Sequence, residues 1–426
     1  MEIYIVRPGD TTEKIAAQFQ VPLSFLLTDN RIPEPNQLVP GQALVIRFPL
    51  ETYTVRPGDT LFSVAARFGL TLRQLYRRNP ILNGEPTVYP GQVLILFLRE
   101  PVEKPFLSVN GYAYPYIGAQ LLRQVLPFLS SLTPFTYGFR PDGELVVLDD
   151  ARLLAAADTV GTGALMHLST LTEGGGFSSE LAHALLQNDS AQAALIDRIQ
   201  DVMLEKGYGG LDVDFEYLPA TDAEPYARFL ARLRSRLAPF GLPVITALAP
   251  KTSAAQPGLL YEGHDYTLLG RAADQLLMMT YEWGYTYGPP MAVAPLPNVR
   301  RVVDYAVSVI EPKKLWLGIP TYGYDWPLPF VQGQTRAVSL SPVQAVALAW
   351  QHHAAILYDE TAQSPHFSYR AEDGTAHEVW FEDARSIRAK LALITEYGLY
   401  GTGYWNLMRP FPQNWLLLDS LFTLRE

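Results

Sequence analysis

Residues 209–217 read Gly209-Gly210-Leu211-Asp212-Val213-Asp214-Phe215-Glu216-Tyr217, an alternation of apolar and acidic side chains. In an extended strand alternate residues share a face, so Asp212, Asp214 and Glu216 point one way while Leu211, Val213 and Phe215 pack the other way. Three carboxyl groups side by side in an interior are costly, because burial and like charge both penalise ionisation. At least one is expected to stay protonated near neutrality. A protonated carboxyl at the C-terminal mouth of a barrel strand is what general-acid catalysis uses, and Glu216, last in the run, is the candidate. Strand carboxylates can also ligate Mg²⁺ or Ca²⁺ or form an ion-pair network. No second ligand cluster completes a metal site, and His352-His353 would point about 100° apart on a helix. Neither metal nor cofactor is expected.

Seven further apolar runs surround this one: Phe106–Val109, Pro134–Tyr137, Ala164–Leu168, Val244–Leu248, Gln275–Met279, Leu315–Ile319 and Gly401–Trp405. Amphipathic helical stretches separate them, the alternation of a parallel α/β domain, and eight runs predict a (β/α)8 TIM barrel over residues 106–426. Residues 322–382 are too long for one connection and contain a hairpin signal at Asp373-Gly374, so a small α+β insertion is expected there.

The first hundred residues repeat. Tyr4-Ile-Val-Arg-Pro-Gly-Asp-Thr11 returns 49 residues later as Tyr53-Thr-Val-Arg-Pro-Gly-Asp-Thr60, Asn30 matches Asn79, and Pro40-Gly-Gln42 matches Pro90-Gly-Gln92. Each unit reads as strand, helix, helix, strand, giving two βααβ modules at 2–48 and 51–97 and a polar, proline-bearing linker at 98–105. The repeat resembles LysM modules, whose Y-x-V-x-x-G-D-T opening and P-G-Q-x-L ending both stand here twice. That resemblance implies binding of N-acetylglucosamine-containing glycans beside Gly9, Asp10 and Thr11, and beside Gly58, Asp59 and Thr60. The same residues would also serve simply to build the turn and cap the helix.

Composition narrows the partners. A formal net charge of −10 opposes phosphate neutralisation, so nucleic acid is not expected. No run of 18 apolar residues would span a membrane, and the N-terminus lacks a secretory signal. With no cysteine, disulfides and thiol nucleophiles are excluded. The 24 Tyr and 7 Trp supply flat apolar faces of the kind that sugars stack on.

The acidic strand resembles the D-G-x-D-x-D-x-E signature of glycoside hydrolase family 18, the chitinase-like barrels, with Gly209 in place of the first Asp. Met279-Thr-Tyr281 is similar to the family's Met-x-Tyr, and Tyr404-Trp405 to its eighth strand. The third-strand Ser-x-Gly-Gly motif is absent from Ser169-Thr-Leu-Thr172, although Gly174-Gly-Gly176 follows. The resemblance implies substrate-assisted retention: Glu216 as acid and then base, Asp214 orienting the substrate acetamide, Asp212 tuning Asp214, Tyr281 bonding the acetamide oxygen and Trp405 under the sugar. Asn110, Tyr112, Met279 and Trp283 are further substrate-binding candidates, with Tyr285, Tyr287 and Trp326 as sugar platforms. Together with Val379-Trp-Phe-Glu-Asp383, the paired repeats are most similar to spore cortex-lytic, germination-type N-acetylglucosaminidases of Bacillus-like bacteria. These features imply a monomer acting on peptidoglycan in the spore coat, cortex or wall. A chitinase and a non-catalytic wall-binding lectin are the alternatives.

Overall fold

The computed structural model describes residues 1–33, 37–101, 103–171 and 175–425. Of the positions singled out above, Thr172 and Gly174 lie outside the described residues.

Eight parallel strands form the barrel: Phe106–Ala113, Ser131–Pro134, a third in two pieces (Gly163–Ala164 and Met166–Ser169), Leu211–Asp214, Val244–Leu248, Gln275–Met278, Leu315–Pro320 and Gly401–Trp405. The second strand pairs with Gly163–Ala164 while Met166–Ser169 pairs with the fourth, so the ring closes through the divided third strand. The first strand runs four residues past its expected end, to Ala113, and two other boundaries bear on the site. The second strand starts three residues earlier and ends at Pro134, and Tyr137 rejoins the sheet only as an isolated bridge to Leu168. The fourth ends at Asp214, which leaves Glu216 beyond the last ladder bond.

The alternation of the fourth strand is resolved as the periodicity requires. Phe215 turns outward and stacks on Tyr226 and Phe229, at ring-centroid distances of 5.4 and 5.9 Å, both carried by the helix Ala223–Leu237. The acids turn inward. The preceding helix, Asp189–Lys206, starts where the Asn188 side chain accepts from the Ser190 and Ala191 N–H groups and stops at Gly207 with φ 73°.

Between the seventh and eighth strands, Gly323–Leu328, Val338–Leu340, Leu357–Asp359, Ser364–Arg370 and Ala376–Trp380 make a five-stranded antiparallel sheet backed by the helix Pro342–Gln351. Its hairpin turns at Asp373-Gly374, where Gly374 takes φ 85° and the Asp373 carboxylate accepts from the Thr375 N–H. This is the α+β insertion.

Both N-terminal repeats are βααβ units. The first runs Glu2–Ile5, Thr12–Phe19, Leu23–Asn30 and Ala43–Ile46. The second runs Pro49–Thr54, Leu61–Phe68, Leu72–Arg78 and Val93–Leu98. The repeated asparagine has a repeated task. Asn30 donates to the Leu26 and Val45 carbonyls and accepts from the Val45 N–H, and Asn79 does the same with Leu75 and Ile95, tying the second helix to the closing strand.

The repeats do not hang from a free linker. Buried Arg73 of the second unit donates to the Pro127, Leu129 and Gly161 carbonyls of the barrel. The buried Arg47–Asp29 pair of the first unit (2.6 Å) also donates to the Arg77 and Arg78 carbonyls of the second. The first unit reaches the insertion and the helix that follows it as well: the Ile356 N–H donates to Pro40 O at 2.9 Å, and Arg385, on the helix Ala384–Tyr397, donates to Gly41 O. A Cβ on Gly41 would collide with the Ile356 carbonyl, whereas the equivalent Gly91 has open space; both have positive φ, 86° and 89°. Gly41→Ala should therefore loosen the first repeat and lower the melting temperature by several degrees more than Gly91→Ala, which carries the backbone strain alone. Equal effects in paired thermal melts would refute the docking contact.

Candidate active site

Asp212 and Asp214 lie inside the barrel, and half-buried Glu216 follows where the strand opens into a cleft. Tyr112, on the first strand, donates its hydroxyl to Asp212 Oδ2 at 2.6 Å. The other oxygens, Asp212 Oδ1 and Asp214 Oδ1, are buried without a hydrogen-bond partner among the described residues. Burial raises Asp212 to about 6 despite the Tyr112 bond. Asp214 is pushed well above the carboxylate range, first by burial and then by the charges of Glu216 and Asp212. Glu216 rises to about 7, from burial first and then from Glu282. Protons therefore remain in this row at pH values where exposed carboxylates have lost theirs.

Two groups that sequence reasoning passed over belong here. Glu282, at φ 66° just after Tyr281, accepts from the Tyr322 and Tyr324 hydroxyls, so the start of the insertion holds its carboxylate. Its alternation signal was weak because it stands on a loop. His167 is paired in register with Asp212; burial lowers it to about 3, which keeps the ring neutral, and its Nε2 lies 3.9 Å from Asp214 Oδ2. Its Nδ1 is 2.6 Å from Thr136 Oγ1. A lone histidine in an apolar strand was the available signal.

The cleft, about 600 Å³, is walled by Asp214, Glu216, Met279, Tyr281, Trp283 and Trp405, together with rings that were not singled out, among them Tyr114, Phe135 and Tyr261. Trp405, at the end of the eighth strand, meets Phe135 and Tyr112 edge-on at centroid distances of 4.9 and 5.8 Å, which fixes its plane. Tyr281 is kept a neutral phenol by burial and by the acids beside it, so its hydroxyl can donate. Tyr285 lines the cleft. Tyr287 stands outside its lining, in contact with Tyr285.

Besides Tyr287, three residues expected at the substrate lie elsewhere: Tyr112 is buried against Asp212, outside the cleft lining, and Asn110 and Trp326 are buried apart from it. Asn110 is buried beneath the cleft, where its Oδ1 accepts from Ser131 and Thr133, because the first strand turns that face into the barrel floor. Trp326 is fully buried in the insertion and donates to the Gly288 carbonyl, so it braces the loop after Tyr281 and offers no face to a sugar.

In the repeats, Asp10 and Asp59 accept from the Tyr4 and Tyr53 hydroxyls and from the Arg7 and Arg56 N–H groups. Thr11 and Thr60 cap the helices that follow. These four side chains build the turns, and Gly9 and Gly58 give them φ values of 85° and 87°. Among the described residues no group of three or more His, Asp or Glu is arranged to hold a metal ion, and no helix is long and apolar enough to cross a membrane.

Proton-holding carboxyls at the mouth of a parallel barrel, in a cleft walled by aromatic rings, suit cleavage of glycosidic bonds, and the protein is a glycoside hydrolase. The chain belongs to the glycosyl hydrolases family 18, whose family model matches residues 116–409, with LysM domains matched at 4–47 and 53–97. It is 40% identical over 430 residues to the cortical fragment-lytic enzyme of Bacillus subtilis (strain 168), covering 100% of this chain and 99% of that one. Among solved structures it is similar to the spore cortex-lytic enzyme SleL of Bacillus megaterium QM B1551, at TM-score 0.84 and 38% identity, with 99% and 98% of the chains covered. A chitinase from Chromobacterium violaceum matches at TM-score 0.67 and 27% identity, covering 74% of this chain and 98% of that one.

The Glu216 carboxyl has a signed pH consequence. Its folded pKa, about 7, exceeds the ordinary 4.5, so the folded protein holds the extra proton, and stability falls as pH rises through that window. Glu216→Gln should remove this slope and melt a few degrees higher than the parent at pH 8, but not at pH 4. Glu282→Gln removes a negative neighbour and should move the basic limb of kcat/KM to lower pH by about 0.5–1 unit. An unmoved limb, or one displaced to higher pH, would contradict the coupling.

Proposed function

We propose that the protein hydrolyses N-acetylglucosaminyl bonds of spore-cortex peptidoglycan with retention of configuration, using Glu216 as the general acid and then the general base. The observation that carries this reading is the Glu216 carboxyl, raised to about 7 at the cleft mouth beside Asp214 and Trp405. The names of its full-length relatives, a cortical fragment-lytic enzyme and a spore cortex-lytic enzyme, support the polymer. Glycan binding by the LysM domains supports action at the cortex or wall.

In this mechanism the protonated Glu216 gives its proton to the leaving glycosidic oxygen as the C1–O bond breaks. The 2-acetamido oxygen of the same sugar attacks C1 and forms a cyclic oxazolinium ion. Asp214 accepts from the acetamide N–H and offsets the growing positive charge, while the Tyr281 hydroxyl donates to the acetamide oxygen and holds it beneath C1. Asp212, held by Tyr112, shares with Asp214 the proton that like-charge crowding retains. Water deprotonated by Glu216 then reopens the ring from the side the acetamide does not cover. The two inversions give net retention. Trp405 supports the distorted sugar, and the fixed donors and charges act without reorganising.

Glu216→Gln should lower turnover on cortex fragments by about 10²–10⁴-fold or more while polymer pull-down is kept. Mass spectrometry of the products from purified spore cortex and from chitin tests the polymer. Release of N-acetylglucosamine-ended fragments from cortex supports the proposal, and release from chitin alone would assign a chitinase.

A further inference from the structure

The two repeats share a signature and differ in what surrounds it. In each unit the Gly-Asp-Thr turn and the Pro-Gly-Gln turn stand at the same end, joined by backbone bonds: Gly41 N–H to Val6 O and Val6 N–H to Gln42 O in the first, Gly91 N–H to Val55 O and Val55 N–H to Gln92 O in the second. The glutamines act alike, each accepting through Oε1 from the N–H three residues earlier, Val39 or Tyr89. The backbones of the two ends are thus equivalent.

Their surfaces are not. Val39 is 1% exposed and sits in an apolar cluster with Leu340, Ala345, Ala349 and Ile356 of the insertion. The neighbouring Pro40 and Gly41 are held by Ile356 and Arg385. At the matching position of the second repeat, Tyr89 is 66% exposed and Gly91 has open space. Phe62, just after the second Gly-Asp-Thr turn, is 71% exposed where the first repeat has the charged Glu13. Arg67, partly exposed on the following helix, replaces Gln18 and pairs with Asp59 of the turn at 3.4 Å, which steadies the second turn end. The second unit meets the barrel elsewhere, through Arg73 and through Asn83 and Glu85, so its turn end stays open.

We infer that the repeats divide their work: the second binds the N-acetylglucosamine-containing glycan through the end bearing Phe62 and Tyr89, and the first is a bracket that fastens the pair to the insertion. The inference rests on the LysM glycan-binding reading and adds which copy carries it. Two exposed rings flanking a turn offer flat apolar faces to successive pyranose rings, an arrangement that the first repeat lacks.

The experiment uses the full chain carrying Glu216→Gln, so that the polymer survives, and measures sedimentation with insoluble peptidoglycan. Adding Phe62→Ala with Tyr89→Ala should weaken binding about tenfold, while Arg7→Ala with Glu13→Ala at the first repeat should change it less than about twofold. Phe62→Glu, which installs the first repeat's residue type, should weaken binding with an unchanged melting temperature, separating lost contact from lost fold. Equal losses from the two repeats, or loss confined to the first, would overturn the division. A parent that does not sediment would overturn it together with the anchoring role of the LysM pair. Hydrolysis of soluble cortex fragments by the chain with Glu216 intact reports on the catalytic reading independently.

Discussion

Crowding of carboxyl groups on the inner face of the fourth barrel strand governs the rest of the site. Asp212 and Asp214 have been taken out of water, and each leaves one oxygen without a partner among the described residues. A fully ionised row would carry several negative charges at low effective dielectric, so protons stay bound and all three carboxyls are raised above the ordinary range. The neighbours fit that constraint. His167 is held neutral, so it cannot neutralise the pair, and Tyr112 stabilises only one oxygen. The result is an acid poised near 7 where the barrel opens.

The insertion acts on this site from one side and on the repeats from the other. Tyr322 and Tyr324 hold Glu282, and buried Trp326 braces the adjoining loop, so the charge that raises Glu216 depends on how the insertion is seated. The far side of the same subdomain receives Val39 and Gly41 of the first repeat. Anchor and cleft therefore belong to one packed assembly, held by buried Arg73, the Arg47–Asp29 pair and an apolar seam. Buried arginines with several carbonyl acceptors fix orientation well, because losing one acceptor leaves a buried N–H donor unsatisfied.

Much of the architecture was legible because it is local. Alternation in residues 211–216 has the period of a strand, and an Arg-Pro-Gly-Asp-Thr run and an asparagine that both recur 49 residues apart mark a repeated unit, so strand, helix and repeat could be read without any distant contact. The hairpin at Asp373-Gly374 followed from turn chemistry of the same kind. Readings that assigned a side chain to the cleft from its place on a loop or strand fared less evenly. Trp326 and Tyr287 read alike as loop aromatics, yet one lies at the centre of the insertion and the other is exposed. Asn110 stands two residues from Tyr112 on the same strand, and a step along the barrel axis is enough to place it below the cleft.

By itself, then, the sequence determined the barrel, the inward row of Asp212, Asp214 and Glu216, and the paired βααβ repeats, since each is written in a short-range period that backbone geometry must obey. Only the tertiary structure decided that Glu282 and His167 join the acids, that Trp326 is core, and that Val39 is buried while Tyr89 is exposed. Those outcomes depend on which surfaces meet across hundreds of residues. Two copies of one motif carry the same local instructions, and the insertion covers only one of them.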